Sequence, residues 1–90
     1  MKKHACIICG HLTLTTRTDW EICPVCYWED DVPYGGVDKH SPANAMSIQH
    51  AQDNYRRHHA CDVKYIGSVR DPLDDEPIDP NWKPIQHCKE

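Results

Sequence analysis

The 90-residue sequence has no phenylalanine and only four glycines. No apolar run in it approaches the roughly 18 residues that a membrane-spanning helix needs. Basic residues are in the minority, with 10 Lys and Arg against 14 Asp and Glu, and the formal net charge is −4. This balance disfavours general nucleic-acid binding, which depends on cationic contacts to phosphates. No apolar segment follows the basic pair Lys2 and Lys3, so we expect no signal peptide and a cytoplasmic protein.

The chain is also poor in material for a hydrophobic core. Its apolar residues amount to 39%, and a domain of this size buries only roughly 60–65% of its unfolded surface. We therefore expect a further stabilising element. The six cysteines are the obvious source, and in a reducing compartment they indicate metal or redox chemistry rather than disulfides.

Four cysteines form two C-x-x-C units, Cys6 with Cys9 and Cys23 with Cys26. Two residues between thiolates allow one tight turn, a knuckle, to direct both sulfurs at a common point. Two knuckles supply the four tetrahedral ligands that Zn²⁺ accepts, and four thiolates leave no open position for catalysis. We predict structural zinc on these four residues. Iron in a rubredoxin-like site uses the same ligands and stays open, whereas a thioredoxin-like redox pair lacks its βαβ context.

The pattern around the knuckles predicts a small α+β, metal-stabilised domain. Apolar residues alternate over 12–14 and 20–22, which predicts a zinc-ribbon β-hairpin joining the two knuckles. Residues 32–44 contain prolines and glycines and predict a loop. Ser47 is a good N-cap for an amphipathic helix over 48–59 that packs on the ribbon, and Asp62 can cap a short turn over 63–66. Residues 1–70 would form ribbon and helix, and residues 71–90 an irregular, proline-rich acidic arm of the same domain.

Gly10 and Pro24 fit the knuckles themselves. Gly10 follows Cys9 at a point where the chain turns back and a positive φ is expected. Pro24 presets φ at the start of the second turn.

Acidic residues concentrate in two places, after the second knuckle and in the arm. They are expected to face solvent, and the arm alternatively docks on a basic protein surface with Trp82 as an apolar anchor. The predicted partner-binding residues are Asp30, Asp31, Asp71, Asp74, Asp75, Glu76, Asp79 and Trp82.

The remaining cysteines and the seven histidines give weaker signals. Cys61 is best interpreted as a small buried apolar residue. A nucleophilic Cys61 with His58 or His59 as base is a competing hypothesis. Participation of Cys61, Cys88 or a histidine in metal binding also stays open.

With these motifs in hand, the sequence resembles the bacterial cysteine-rich CPCC family from about Cys6 to Pro72. The most specific block is CPVCYWEDD at 23–31, and the first knuckle departs from the family name because Ile7 and Ile8 stand where proline and a further cysteine are expected. The supporting residues are Cys6, Cys9, Gly10, Leu12, Leu14, Gly35, Gly36, Met46, Ser47, Ile48, Ala51, Asn54, Tyr55, Ala60, Cys61, Asp62, Val69 and Arg70.

The resemblance implies a small zinc-binding protein without established enzyme chemistry. Some similar proteins are encoded beside polymorphic toxins, which implies an immunity role, and the acids past Pro72 would be a partner-specific addition. We therefore predict a non-enzymatic protein that binds and neutralises a toxin with a basic cleft. The alternative is a nucleic-acid-associated Cys₄ ribbon, whose phosphate contacts would be Lys2, Lys3, Arg17, Arg56 and Arg57.

Overall fold

A computed structural model describes residues 3–31 and 40–84. Two short strands, β1 (His4–Ala5) and β2 (Leu12–Leu14), pair antiparallel on either side of the first knuckle. A second pair, β3 (His40–Ser41) and β4 (Met46–Ser47), leads directly into helix α1 (Ile48–His58). A single 3₁₀ turn, Val63–Tyr65, follows the helix.

The predicted hairpin between 12–14 and 20–22 is wrong. β2 pairs with β1, whereas the 20–22 segment pairs with the residues after the second knuckle, through a bridge between Ile22 and Glu29 and a bond from Trp20 N to Asp30 O of 3.0 Å. Each knuckle is thus enclosed by its own two chain segments, because the knuckle turn itself reverses the chain, with Cys6 N donating to His11 O and Cys23 N donating to Trp28 O. The loop prediction for 32–44 also needs correction, since β3 begins at His40; residues 32–39 lie outside the described residues.

The helix prediction is confirmed. Ser47 has extended backbone angles, and its hydroxyl accepts a hydrogen bond from His50 N at 3.0 Å, as an N-cap should. His59 ends the helix in the left-handed conformation, with φ 62°. The side chain of Asp62 accepts from Lys64 N and caps the 3₁₀ turn. The start of α1 and the start of the 3₁₀ turn therefore both follow from local capping chemistry.

The core forms around the cysteines rather than around a sheet. Trp28, Ile8, Leu14 and Val25 are almost fully buried beside the four knuckle sulfurs, and Ala51 brings α1 against them. Gln52 on α1 is a polar residue, yet it is also buried. Its Nε2 donates to Ile7 O at 2.8 Å, which explains how a polar side chain is accommodated there.

The acidic arm has no helix and no regular strand within residues 71–84, but it lies along the first knuckle. Leu12 N donates to Pro77 O at 3.0 Å, and Asp79 N donates to Gly10 O at 2.9 Å. No helix within 3–31 and 40–84 has the length and hydrophobicity required to cross a membrane.

Candidate metal centre

The two knuckles have the same backbone hydrogen bonds. In the first, Cys6 N donates to His11 O and Gly10 N donates to Cys6 O. The second repeats both bonds at the same spacing, around Cys23 and Tyr27. Two separate segments therefore present their cysteine pairs in the same way, as a site built from two C-x-x-C turns requires.

Both knuckles turn at a residue with positive φ. Gly10 has φ 81°, as the sequence predicted, and Tyr27 occupies the equivalent position with φ 71°. This conformation is unfavourable for a side chain with a Cβ. The Tyr27 ring packs against Tyr65 at a centroid distance of 4.7 Å, a contact that offsets part of the strain.

The knuckles bring the sulfurs of Cys6, Cys9, Cys23 and Cys26 together, all within 4.8 Å of one another. Cys6 Sγ lies 3.5 Å from Cys26 Sγ, and Cys9 Sγ lies 3.8 Å from Cys23 Sγ. Four sulfurs at about 2.3 Å from a central Zn²⁺ would be about 3.8 Å apart. The four predicted ligands therefore form one cluster that can hold a metal ion, and among the described residues no cysteine is in a disulfide.

Burial controls the protonation of this cluster. The four residues are 0–2% exposed, and burial raises the pKa of the Cys6 and Cys26 thiols well above its ordinary value. Hydrogen bonds from Cys26 and the other cysteines lower the pKa of Cys23. Without a cation, the four sulfurs cannot all become thiolates in this environment, so a bound divalent metal would provide the compensating charge.

Thr13 is a polar neighbour that the sequence analysis missed. Its Oγ1 lies 3.1 Å from Cys23 Sγ, and the residue is 4% exposed. The β1–β2 register skips Thr13, because Ala5 faces Leu12 and the preceding residue His4 faces Leu14. This irregularity breaks the alternation of the strand and turns Thr13 towards the sulfurs. No one-dimensional signal marks such a bulge in a three-residue strand.

Distant segments hold the second knuckle from outside. Cys61 N donates to Cys26 O at 2.8 Å, and Arg70 N donates to Pro24 O at 3.2 Å. Asn54 on α1 in turn donates to Cys61 O. Cys61 therefore supports the second knuckle through its backbone, and its side chain is not in the sulfur cluster.

The expected solvent exposure of the acids is wrong for two of them. Asp30 is 3% exposed and accepts a hydrogen bond from Thr18 N at 2.6 Å. Glu76 is 2% exposed and forms two bonds with Arg70, of 2.8 and 2.9 Å, which hold the pKa of Glu76 at about 2. Both carboxylates bind the protein's own donors, so neither is part of an exposed acidic surface.

The other predicted partner-binding residues divide into two groups. Asp71, Asp74 and Asp75 are exposed. Asp31 is half-buried and accepts from the Ser41 hydroxyl.

Asp79 and Trp82 are also half-buried, and the side chain of each forms a hydrogen bond within the chain. Asp79 Oδ1 accepts from Asn81 N at 2.9 Å. Trp82 Nε1 donates to Ile7 O at 3.0 Å. The anchor expected to contact a partner therefore packs on the first knuckle.

The candidate nucleophile has the properties of a structural residue. Cys61 is 0% exposed, and burial together with the nearby Asp62 carboxylate raises its thiol pKa to about 12. His58 and His59 are exposed. A reactive thiol needs a lowered pKa, so this environment disfavours nucleophilic chemistry. Cys88 lies outside the described residues, and within 3–31 and 40–84 the only cluster suited to a metal is the four cysteines.

Comparison with known proteins agrees with the motif. A family model described as cysteine-rich CPCC matches residues 4–76, so the chain belongs to this family. The match includes Asp74, Asp75 and Glu76, and the expectation that the acids past Pro72 lie beyond it is wrong for these three. No curated protein and no solved structure matches the chain.

Proposed function

We propose that this member of the cysteine-rich CPCC family is a non-catalytic zinc protein that acts by binding another protein. The observation that carries the zinc assignment is the cluster of four buried sulfurs, all within 4.8 Å of one another. The ligands would be Cys6, Cys9, Cys23 and Cys26. A zinc tetrathiolate has no open coordination position, so its role is to hold the two knuckles together.

The metal would stabilise a chain whose described residues, 3–31 and 40–84, contain few residues in helices and strands. The strands have two or three residues and the only α-helix described has 11. Because the buried core surrounds the sulfurs, metal binding and folding of this part should be coupled.

Metal analysis tests the zinc assignment. Protein purified without added metal should contain one Zn²⁺ per chain, and Cys9→Ser should lower that content. Cys61→Ala is the matched control, because Cys61 is equally buried but outside the cluster. Iron as the bound metal would overturn the zinc assignment, and a metal-free folded chain would overturn the metal site itself.

The proposed partner is a toxin with a basic cleft. The support is the net charge of −4 and the three exposed carboxylates of Asp71, Asp74 and Asp75. Acidic side chains can occupy such a cleft and increase the association rate by electrostatic steering. Asp30 and Glu76 are left out of this surface because their carboxylates are buried.

Co-expression with the product of the neighbouring gene tests this part. The pair should co-purify, and the chain should rescue growth. Charge reversal at Asp71, Asp74 and Asp75 should slow association, whereas Asp19→Lys, at an exposed acid outside the arm, should have a smaller effect. Absence of both co-purification and rescue would refute the toxin proposal without affecting the metal site.

The nucleic-acid alternative stays a prediction that no observation favours. Arg56 and Arg57 both contact Asp53, at 2.6 and 3.4 Å, and Arg17 lies 3.6 Å from Asp30. A gel shift on mixed DNA or RNA that weakens steeply with salt would favour this alternative over the toxin proposal.

A further inference from the structure

A segment near the end of the described chain, residues 76–82, crosses the outside of the first knuckle; we call it the strap. His11 Nδ1 donates to Glu76 O at 2.6 Å, and His11 forms an antiparallel bridge with Ile78. Further along, Asp79 N donates to Gly10 O. Leu12 N also donates to Pro77 O. The strap therefore contacts the three consecutive residues that follow Cys9, namely Gly10, His11 and Leu12.

One carbonyl inside the first knuckle links the strap to the helix. Ile7 lies between the two ligands Cys6 and Cys9, and its carbonyl oxygen accepts from both Trp82 Nε1 and Gln52 Nε2, at 3.0 and 2.8 Å. A carbonyl with both lone pairs in use is fixed in orientation. The peptide between the two ligands is therefore held from two directions, by the strap and by α1.

The indole ring of Trp82 occupies the space that Gly10 leaves open. A Cβ on Gly10 would lie 2.3 Å from Trp82 Cε3 and 2.5 Å from Cδ2. The ring is therefore in close contact with the residue that follows Cys9. Close contact of this kind limits movement of the knuckle backbone.

We propose that Trp82 is a positioning residue for the metal centre, and that the strap sets the rate at which zinc leaves. The proposal rests on the zinc assignment above. Zinc can leave only if thiolates detach and a competing ligand approaches. Detachment of Cys6 or Cys9 requires the knuckle backbone to move, and Trp82 restrains that backbone through the Ile7 carbonyl and through Gly10.

The strap is anchored at its start by the buried Glu76. Its carboxylate accepts from Leu73 N at 2.9 Å as well as from Arg70, and Arg70 N is bonded to Pro24 of the second knuckle. The same segment therefore connects the two knuckles around the sulfur cluster. Loosening the strap should therefore speed metal release while leaving the same four cysteines as ligands.

The test is zinc release from the full, zinc-loaded chain into an excess of a chromogenic chelator. Trp82→Ala should release zinc about tenfold faster or more, since it removes both the ring contact and the Ile7 bond. Trp82→Phe, which keeps a ring but lacks the indole N–H, should be intermediate. Asn81→Ala is the matched control, because Asn81 adjoins Trp82 in the strap but is itself exposed, and it should release zinc at the wild-type rate.

Two further measurements separate this proposal from the zinc assignment. Each variant should still bind one zinc per chain, and the Co²⁺-substituted forms should keep the absorption of a tetrathiolate site. Release from Trp82→Ala and Trp82→Phe at the wild-type rate would overturn the strap proposal while leaving the zinc site intact. Should Trp82→Ala not fold, Trp82→Phe decides alone: faster release supports the proposal, and an unchanged rate refutes it. A wild-type chain that binds no zinc would refute the proposed function instead.

Discussion

Gly10→Ala should be one of the most damaging small substitutions in this protein. Gly10 has φ 81°, a conformation that disfavours any residue with a Cβ. The added methyl group would also lie 2.3 Å from Trp82 Cε3, far inside an ordinary carbon–carbon contact of about 3.5–4.0 Å. The Trp82 ring must therefore move away from the knuckle.

The expected loss has two parts. A left-handed conformation costs an alanine roughly 1–2 kcal/mol. Displacement of Trp82 removes the hydrogen bond from its indole N–H to Ile7 O, worth about 1 kcal/mol, together with its ring contact. We expect the free energy of unfolding to fall by about 3 kcal/mol in total.

The assay is urea unfolding at a fixed concentration of free zinc, because a ligand that binds the folded state contributes to the measured stability. Gly67→Ala is the matched control. A methyl group added at Gly67 would meet nothing within 4 Å beyond its own chain neighbours, so the same change should be neutral or stabilising by up to about 1 kcal/mol.

A double-mutant cycle with Trp82→Ala separates the two parts. Without the indole ring, Gly10→Ala should cost only the backbone strain of about 1–2 kcal/mol. Equal losses in the two backgrounds would show that the ring contact is not the cause. A Gly10→Ala variant as stable as Gly67→Ala would refute the backbone argument as well.

Buried contacts elsewhere in the chain lead to three more predictions. Glu76→Gln should lower the free energy of unfolding by about 2 kcal/mol, since a charge-assisted pair with Arg70 is lost. The folded pKa of Glu76, about 2, lies below the ordinary 4.5. The stabilisation from this pair is therefore complete above the ordinary pKa and is lost only as pH falls towards 2. The difference between variant and wild type should therefore be the same in urea titrations at about pH 6.5 and about pH 8, and a difference that changes over this range would contradict the assignment. Thr13→Val should shift the thiolate charge-transfer absorption of the Co²⁺ form because Cys23 loses its hydroxyl neighbour, and Thr13→Ser should restore it; identical spectra for all three proteins would exclude this hydrogen bond. Cys61 should react with iodoacetamide only as fast as the protein unfolds, since its thiol is buried and its pKa is raised to about 12, and rapid labelling in the folded state, detected by mass spectrometry, would contradict that burial.

The features that the sequence predicted correctly depend on neighbouring residues. The spacing of Cys6 and Cys9 defines one knuckle, and the positive φ expected at Gly10 is observed. Ser47 caps the helix through a bond to His50, three residues away. Each of these interactions spans at most a few residues, so the residue types alone carry the information.

The features that the sequence missed depend on segments far apart in the chain. The pairing partner of β2 is β1 and not the 20–22 segment, and alternation of apolar residues does not distinguish between two possible partners. Glu76 is likewise buried against Arg70, whose backbone N–H donates to Pro24 O in the second knuckle. An acidic, proline-rich segment has the composition of a solvated arm, and only packing reveals otherwise.

By itself, the sequence determined the four candidate metal ligands, the knuckle turns and the ends of the helix, because these follow from residue types at short spacing. The tertiary structure decided which carboxylates are exposed and what the last segment does. His11 meets Glu76 across 65 positions, and Ile7 meets Trp82 across 75. Contacts between residues so far apart in the chain depend on the path of the whole backbone. The entropic cost of closing such a long loop is offset only by all the interactions that form when the loop closes.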